Sequence, residues 1–243
     1  MSHTRLSIRN VTDRIIASPA PVLFIDTCSL LDLIRVPFRE RSAKKVSQVL
    51  DAAMNLIALS QKSVSGLWVV VPPVVLDEWT EHSQAATEEL RRHLERLDNS
   101  IEIAHIVANA VGAAMPNPAA RYSSQNLDDA LERLSASFFA NALILSEDSN
   151  CVIRASRRTI NQEAPGRKGG GLKDCIIIEH SIELCSQLQV AGFAERCVFI
   201  TSNEKDFFKP ALAEAKAPLD SQLRRVGLSL TKYWNWAKTE LGF

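Results

Sequence analysis

No apolar run in this chain approaches the length needed to cross a bilayer, and its cysteines form no CxxC pair. The first absence argues against a helical membrane protein, the second against a zinc site. Neither sign of charge dominates: 28 Lys and Arg stand against 28 Asp and Glu. No global field therefore draws the chain to nucleic acid or membrane, and a polyanionic partner would need a local patch. Neither GxxxxGKS/T nor GxGxxG occurs, which removes the usual loops that cradle nucleotide phosphates. The polar start, Met1 to Arg5, lacks a hydrophobic signal core. Cys28, Cys151, Cys175, Cys185 and Cys197 are odd in number, scattered and mostly in apolar surroundings. They read as reduced thiols of a cytoplasmic protein.

What is present is an ordinary globular composition, 46% apolar and 23% charged over 243 residues. That suits one domain with a substantial core. Pro21 to Leu31 begins as an unbroken apolar run, the signature of a strand buried on both faces. Leu67 to Val71 and Cys197 to Thr201 repeat that pattern, and Val226 to Leu230 is a fourth candidate strand. Residues 42–61 carry apolar side chains at helical spacing. Pro72 and Pro73 suit the first turn of a helix reaching about Leu97, because proline lacks only a donor that is orphaned there. Residues 100–145 read as helical without a clear strand, interrupted at Met115 to Pro118 and resuming from Leu127 to Leu145. A further helix runs from Asp174 to about Val190, where Gly192 ends it. The order is that of an α/β protein: a Rossmann-like α/β/α sandwich with a mostly parallel central sheet. The expected organisation is a single domain, 1–243, with a helical insertion at about 84–150.

Acids recur where this architecture gathers ligands, at strand ends and helix starts. Asp26 closes the first strand. Glu78, with Asp77 beside it, lies early in the helix after the second. Asp174 opens the long helix, and the third strand runs into Asn203, Glu204 and Asp206. Carboxylates crowded at one rim repel unless a cation neutralises them. Hard oxygen ligands select Mg²⁺ or Mn²⁺, and a pair of such ions can clamp the attacking and leaving oxygens of phosphodiester cleavage. A phosphatase of the haloacid dehalogenase type would need a second acid two residues after the first, and position 28 is Cys. A Cys28 nucleophile would need a histidine partner that the sequence does not supply.

The segments FIDTCSLL, VVPPVVLDEW, GGGLKDCIIIEH and VFITSNEKDFF together resemble the PIN domain nucleases, in particular larger PIN-like proteins with an extended helical middle. The resemblance covers residues 21–35, 68–82 and 165–210. It implies a metal-dependent ribonuclease acting on single-stranded RNA, with Asp26, Glu78, Asp174 and Asp206 as catalytic, metal-binding acids. Asn203 shares the fourth position with Asp206. Thr27, Ser29 and Thr201 match small polar positions that support a metal-bound water. The implied settings are a toxin held by an antitoxin or other inhibitor protein, or a processing or defence nuclease. DNA remains open as a substrate, a homodimer is among the assemblies open to it, and no membrane is involved. The rival reading is a catalytically inactive PIN-like module that binds RNA or protein.

Between 151 and 173, Arg154, Arg157, Arg158, Arg167, Lys168 and Lys173 face a single acid, Glu163. Such a patch suits sequence-independent phosphate contacts, though a solvated helix face followed by a loop has the same composition. His82 reads as a surface residue, His180 as a satisfied core histidine, and Trp234 and Trp236 as packing residues.

Overall fold

Six strands align in one parallel sheet because the four-residue runs Val22–Ile25, Trp68–Val71 and Cys197–Ile200 are apolar on both faces. Such strands are stable only when helices cover both sides. The computed structural model describes residues 4–62, 66–113, 115–116, 120–167 and 171–243. In chain order the elements are β1 (Arg5–Leu6), α1 (Ile8–Ala17), β2 (Val22–Ile25), α2 (Thr27–Arg39), α3 (Ala43–Ser60), β3 (Trp68–Val71) and α4 (Pro73–Ala110). They continue with α5 (Leu127–Ala136), β4 (Leu143–Leu145), α6 (Ser149–Ile160), α7 (Leu172–Val190), β5 (Cys197–Ile200), α8 (Glu204–Phe207), α9 (Leu219–Arg225), β6 (Leu228–Thr231) and α10 (Trp234–Glu240).

The sheet order is β1-β4-β3-β2-β5-β6. From β2 the chain passes to β3 and then β4 on one side, whereas β5 and β6 lie on the other. β2 is therefore the point where the winding reverses, with Phe24 in register with Val70 of β3 and Phe199 of β5. Open α/β sheets bind ligands outside the carboxyl ends of their strands at such a point, and Asp26 is the first residue beyond β2.

Two strands were not expected. Leu143–Leu145, read as the tail of a helical stretch, is instead the fully buried strand β4 between β1 and β3. Segment 84–150 is thus not helical throughout. The two-residue β1 pairs with β4 at the sheet edge, and α1 follows it with Val11 and Ile15 buried. The helix expected to stop near Leu97 runs on to Ala110 and is 38 residues long in all, about 57 Å. Its last buried side chain is Leu94. Beyond it, no proline or glycine interrupts the helix until Gly112, which adopts φ 71°.

Helices α1 and α6 both pack on α7, and α2, α4 and α5 pack on one another. The latter group has its own apolar cluster of Leu31, Ile34, Ala86, Leu90, Leu94 and Leu131. The main core runs through the sheet, with Phe24, Phe138, Phe199 and Phe207 among its largest fully buried side chains. Among the described residues no helix is long and apolar enough to cross a membrane.

Candidate active site

Asp26 N–H donates to the Ile200 carbonyl at 3.0 Å, so the ladder between β2 and β5 extends one residue past the strands. That pairing brings the carboxylate level with Thr201. The Thr201 hydroxyl donates to Asp26 Oδ2 at 2.6 Å, and the Cys28 thiol donates to the same oxygen at 2.8 Å. Asp26 is 2% exposed. Burial pushes its carboxyl above the usual range, the two donors pull it back, and Glu78 pushes it further up.

Glu78 arrives from the first turns of α4, which Pro72 and Pro73 start directly after β3. Its Oε2 accepts from the Thr27 hydroxyl at 2.7 Å, and its Oε1 lies 3.1 Å from Lys173 Nζ. Asp77 points elsewhere: it pairs with Arg5 at 2.6 Å and is mostly exposed. Helical geometry turns adjacent side chains about 100° apart, so only Glu78 can face this rim.

Gly171 precedes α7 at φ 86°, a left-handed conformation that a side chain would strain. The turn sets Asp174 in the first turn of the helix. Its carboxyl is pushed up to about 7, first by burial, then by the charges of Asp26, Asp206 and Glu78, with Arg167 opposing. Asn203 caps the short α8 by accepting from Asp206 N–H at 3.3 Å. Its amide donates to Asp174 Oδ2 at 3.2 Å and to Asp206 Oδ2 at 3.1 Å. Arg167 stands 3.7 Å from Asp206.

The four acids expected from the sequence therefore gather at one rim, where the charge of Glu78 pushes Asp26 up and those of Asp26, Asp206 and Glu78 push Asp174 up. Among the described residues, however, no group of three His, Cys, Asp or Glu side chains is arranged to hold one metal ion. The acids share a neighbourhood without closing into a cage. The Asn203 amide sits between Asp174 and Asp206, Lys173 takes Glu78, and Arg167 stands beside Asp206. The donor set still fits a hard divalent cation in kind. It consists of carboxylate oxygens, and burial and mutual repulsion raise two of them, a strain that a bound cation relieves.

Two contacts and one orphaned hydroxyl were not foreseen. Thr201, matched to a position that supports a metal-bound water, also bonds Asp26 directly. Cys28, weighed only as a nucleophile, is a donor to Asp26, and burial together with the Asp26 charge keeps its thiol well above the ordinary value. Ser29 is buried with no hydrogen-bond partner and lines a neighbouring cavity. Only the position of Cys28 two residues after Asp26 hinted at any of this.

The basic segment divides in two. Arg167 and Lys173 are half-exposed at the acidic rim, and Arg157 is exposed on α6. Lys168, with Gly169 and Gly170, lies outside the described residues. Arg158 is a correction: it is 4% exposed and its Nε donates to Glu179 Oε1 at 2.9 Å. It also donates to the Ala164 carbonyl and to Gln222. Arg154 likewise pairs with Glu179 and Glu183, each at 2.8 Å. These two guanidiniums tie α6 to α7 and present no free charge to a phosphate, because α7 is buried nearly all round and its acids need partners. His180 is fully buried, accepting from Asp148 N–H and bonding the Ile176 carbonyl. Trp234 is buried against Phe138, whereas Trp236 is exposed.

The raised acids set a pH dependence. A carboxyl whose folded pKa exceeds its unfolded value, about 4, contributes stability that is complete at low pH. That stability is lost as pH rises through the folded value. Asp26 and Asp174 both have this sign. The metal-free protein should melt at falling temperature from about pH 5 to about pH 8. Thermal melts across that window check it, and a steady rise would contradict the assignment.

Fold and site together define an open parallel α/β protein with a carboxylate cluster at the reversal point of its sheet. The family profile described as the PIN domain matches residues 23–207, well over half of the chain, and the protein belongs to the PIN domain family. No curated protein and no solved structure gives a significant match. PIN domains are generally nucleases, and the fold is of nuclease type.

Proposed function

We propose that the protein is an endoribonuclease that uses Mg²⁺ or Mn²⁺ to hydrolyse phosphodiester bonds in single-stranded RNA. The observation that carries this reading is the meeting of Asp26, Glu78, Asp174 and Asp206, drawn from four distant segments, at the reversal point of the sheet. Their mutual repulsion contributes to raising Asp174 to about 7. When bound, divalent ions supply activation of an attacking water and stabilise the departing oxyanion.

The chain's own residues do the rest. The four acids would hold the ions, with Asn203 as a further oxygen ligand. Thr201 and Cys28 fix the Asp26 carboxylate, and Thr27 fixes Glu78, so that neither acid has to be ordered on binding. Arg167 and Lys173 sit where a phosphodiester would approach, and exchange of their acidic partners for phosphates is the role they suit best. Arg157 and Lys168 extend that role along the same segment. A toxin restrained by an inhibitor protein and a defence nuclease would both use such an activity.

The second reading, a module that binds RNA or protein without cutting, is favoured by one fact: no three ligands close on a common point among the described residues. Titration with Mn²⁺ by calorimetry, paired with a cleavage assay on labelled single-stranded RNA, separates the two. The nuclease binds Mn²⁺ and yields products that EDTA abolishes. Absence of both heat and products would leave the binding module standing. Single-stranded DNA of the same sequence is the substrate control, because metal and phosphate contacts do not read the 2′-hydroxyl.

A further inference from the structure

Beside the acidic rim lies a cavity of about 380 Å³, bounded by α2, α3, the β5–α8 loop and the β6–α10 corner. Its lining alternates along the chain with residues of the site. Ser202 and Glu204 line it, while their neighbours Thr201 and Asn203 bond the acids. Ser29 also lines it, three residues from Asp26 and with its N–H on the Asp26 carbonyl.

The lining carries three acids, Asp32, Glu40 and Glu204, and two bases, Arg39 and Lys232. Lys232 is largely buried and paired with Glu204 at 2.8 Å, and Arg39 is paired with Asp32. Neither cation is free for a phosphate. Val36 and Val49 add apolar wall, and Tyr233 stands half-exposed among the lining residues. The Ser29 hydroxyl has no partner although the residue is 1% exposed. A buried hydroxyl left unpaired destabilises a fold, a cost that a ligand group bonded to it would remove. A cavity of this size suits one nucleotide-sized group.

We infer that this cavity holds one nucleobase of the RNA strand, stacked on Tyr233 and bonded by the Ser29 hydroxyl, and so sets where the backbone crosses the acids. The inference rests on the nuclease reading for its biological sense but not for its test. Aromatic stacking is the usual way that unpaired bases are held, and the adjoining rim is where the connected phosphodiester would lie.

The test measures fluorescence anisotropy of labelled A, C, G and U pentanucleotides with the full chain in EDTA, where no cutting intervenes. Tyr233→Ala should weaken binding of the best pentanucleotide about tenfold. Ser29→Ala should weaken it about threefold while melting at or above the parent temperature, because it removes an unpaired hydroxyl. Equal binding by all three proteins, or none by the parent, overturns the inference. With Mn²⁺ present, Tyr233→Ala should also shift the product ends on a longer RNA. If the parent cuts and both variants bind and cut at the same positions, the base site is wrong and the nuclease stands. If the parent cuts nothing but Tyr233→Ala still loses binding, the nuclease reading fails and the base site survives.

Discussion

Asp26→Asn should lower metal-dependent RNA cleavage by about a thousandfold and leave the fold standing. The carboxylate is 2% exposed and sits between two donors, Thr201 and Cys28. An amide of the same shape can still accept from both through its oxygen. What it loses is the negative charge that holds a divalent ion. The native charge costs stability to bury, as the raised carboxyl records. The variant should therefore melt at or above the parent temperature at neutral pH, and its circular dichroism should be unchanged. Single-turnover cleavage of labelled RNA in Mn²⁺ gives the rate. A variant that cuts as fast as the parent would remove Asp26 from the metal site and the nuclease assignment with it.

The largest effect on stability should come from a different acid. Glu179→Ala should destabilise the protein by about 3–5 kcal/mol, the usual cost of stranding one member of a buried ion pair. Arg158 would be left 4% exposed with only the Ala164 carbonyl and the Gln222 side chain as acceptors. Arg154 would keep Glu183. The double variant Arg158→Met with Glu179→Leu removes both charges and should cost less than the single change, because no ion is stranded. Denaturant unfolding of the three proteins decides this. In RNA-binding measurements, Arg154→Ala should leave the salt dependence as it is, whereas Lys173→Ala should flatten it, since a phosphate that no longer meets a cation releases no counterion.

Much of the fold is legible along the chain, and the reason is burial on both faces. β2, β3 and β5 show as unbroken apolar runs, and each ends at a polar residue or a proline pair that starts the next helix. β4 escaped because Leu143–Leu145 is short and follows Phe138 and Phe139, so its apolar residues blend with a helical period. β1 carries no signal at all: Arg5–Leu6 is a strand only because β4 offers it an edge. Residues from 100 on also read as helical, but that they continue α4 without a break near Leu97 was not evident, because the continuation depends on the absence of a stop signal rather than on burial.

At the site, acids at strand ends and helix starts drew attention to Asp26, to Asp77 and Glu78, to Asp174 and to the stretch from Asn203 to Asp206, and the resemblance to the PIN domain nucleases picked out Asp26, Glu78, Asp174 and Asp206 among them. A carboxylate in such a place can equally be a helix cap, as Asp148 is for α6. Side-chain partners were decided by tertiary packing alone. Glu78 faces the rim and Asp77 faces Arg5 because α4 enters at one particular rotation. Arg158 meets a carboxylate rather than a phosphate because α7 packs against α6. Patterns of apolarity follow from local sequence, since burial repeats with the period of each element. The company a charge keeps depends on which distant segment reaches it first, and only the folded chain brings that segment near.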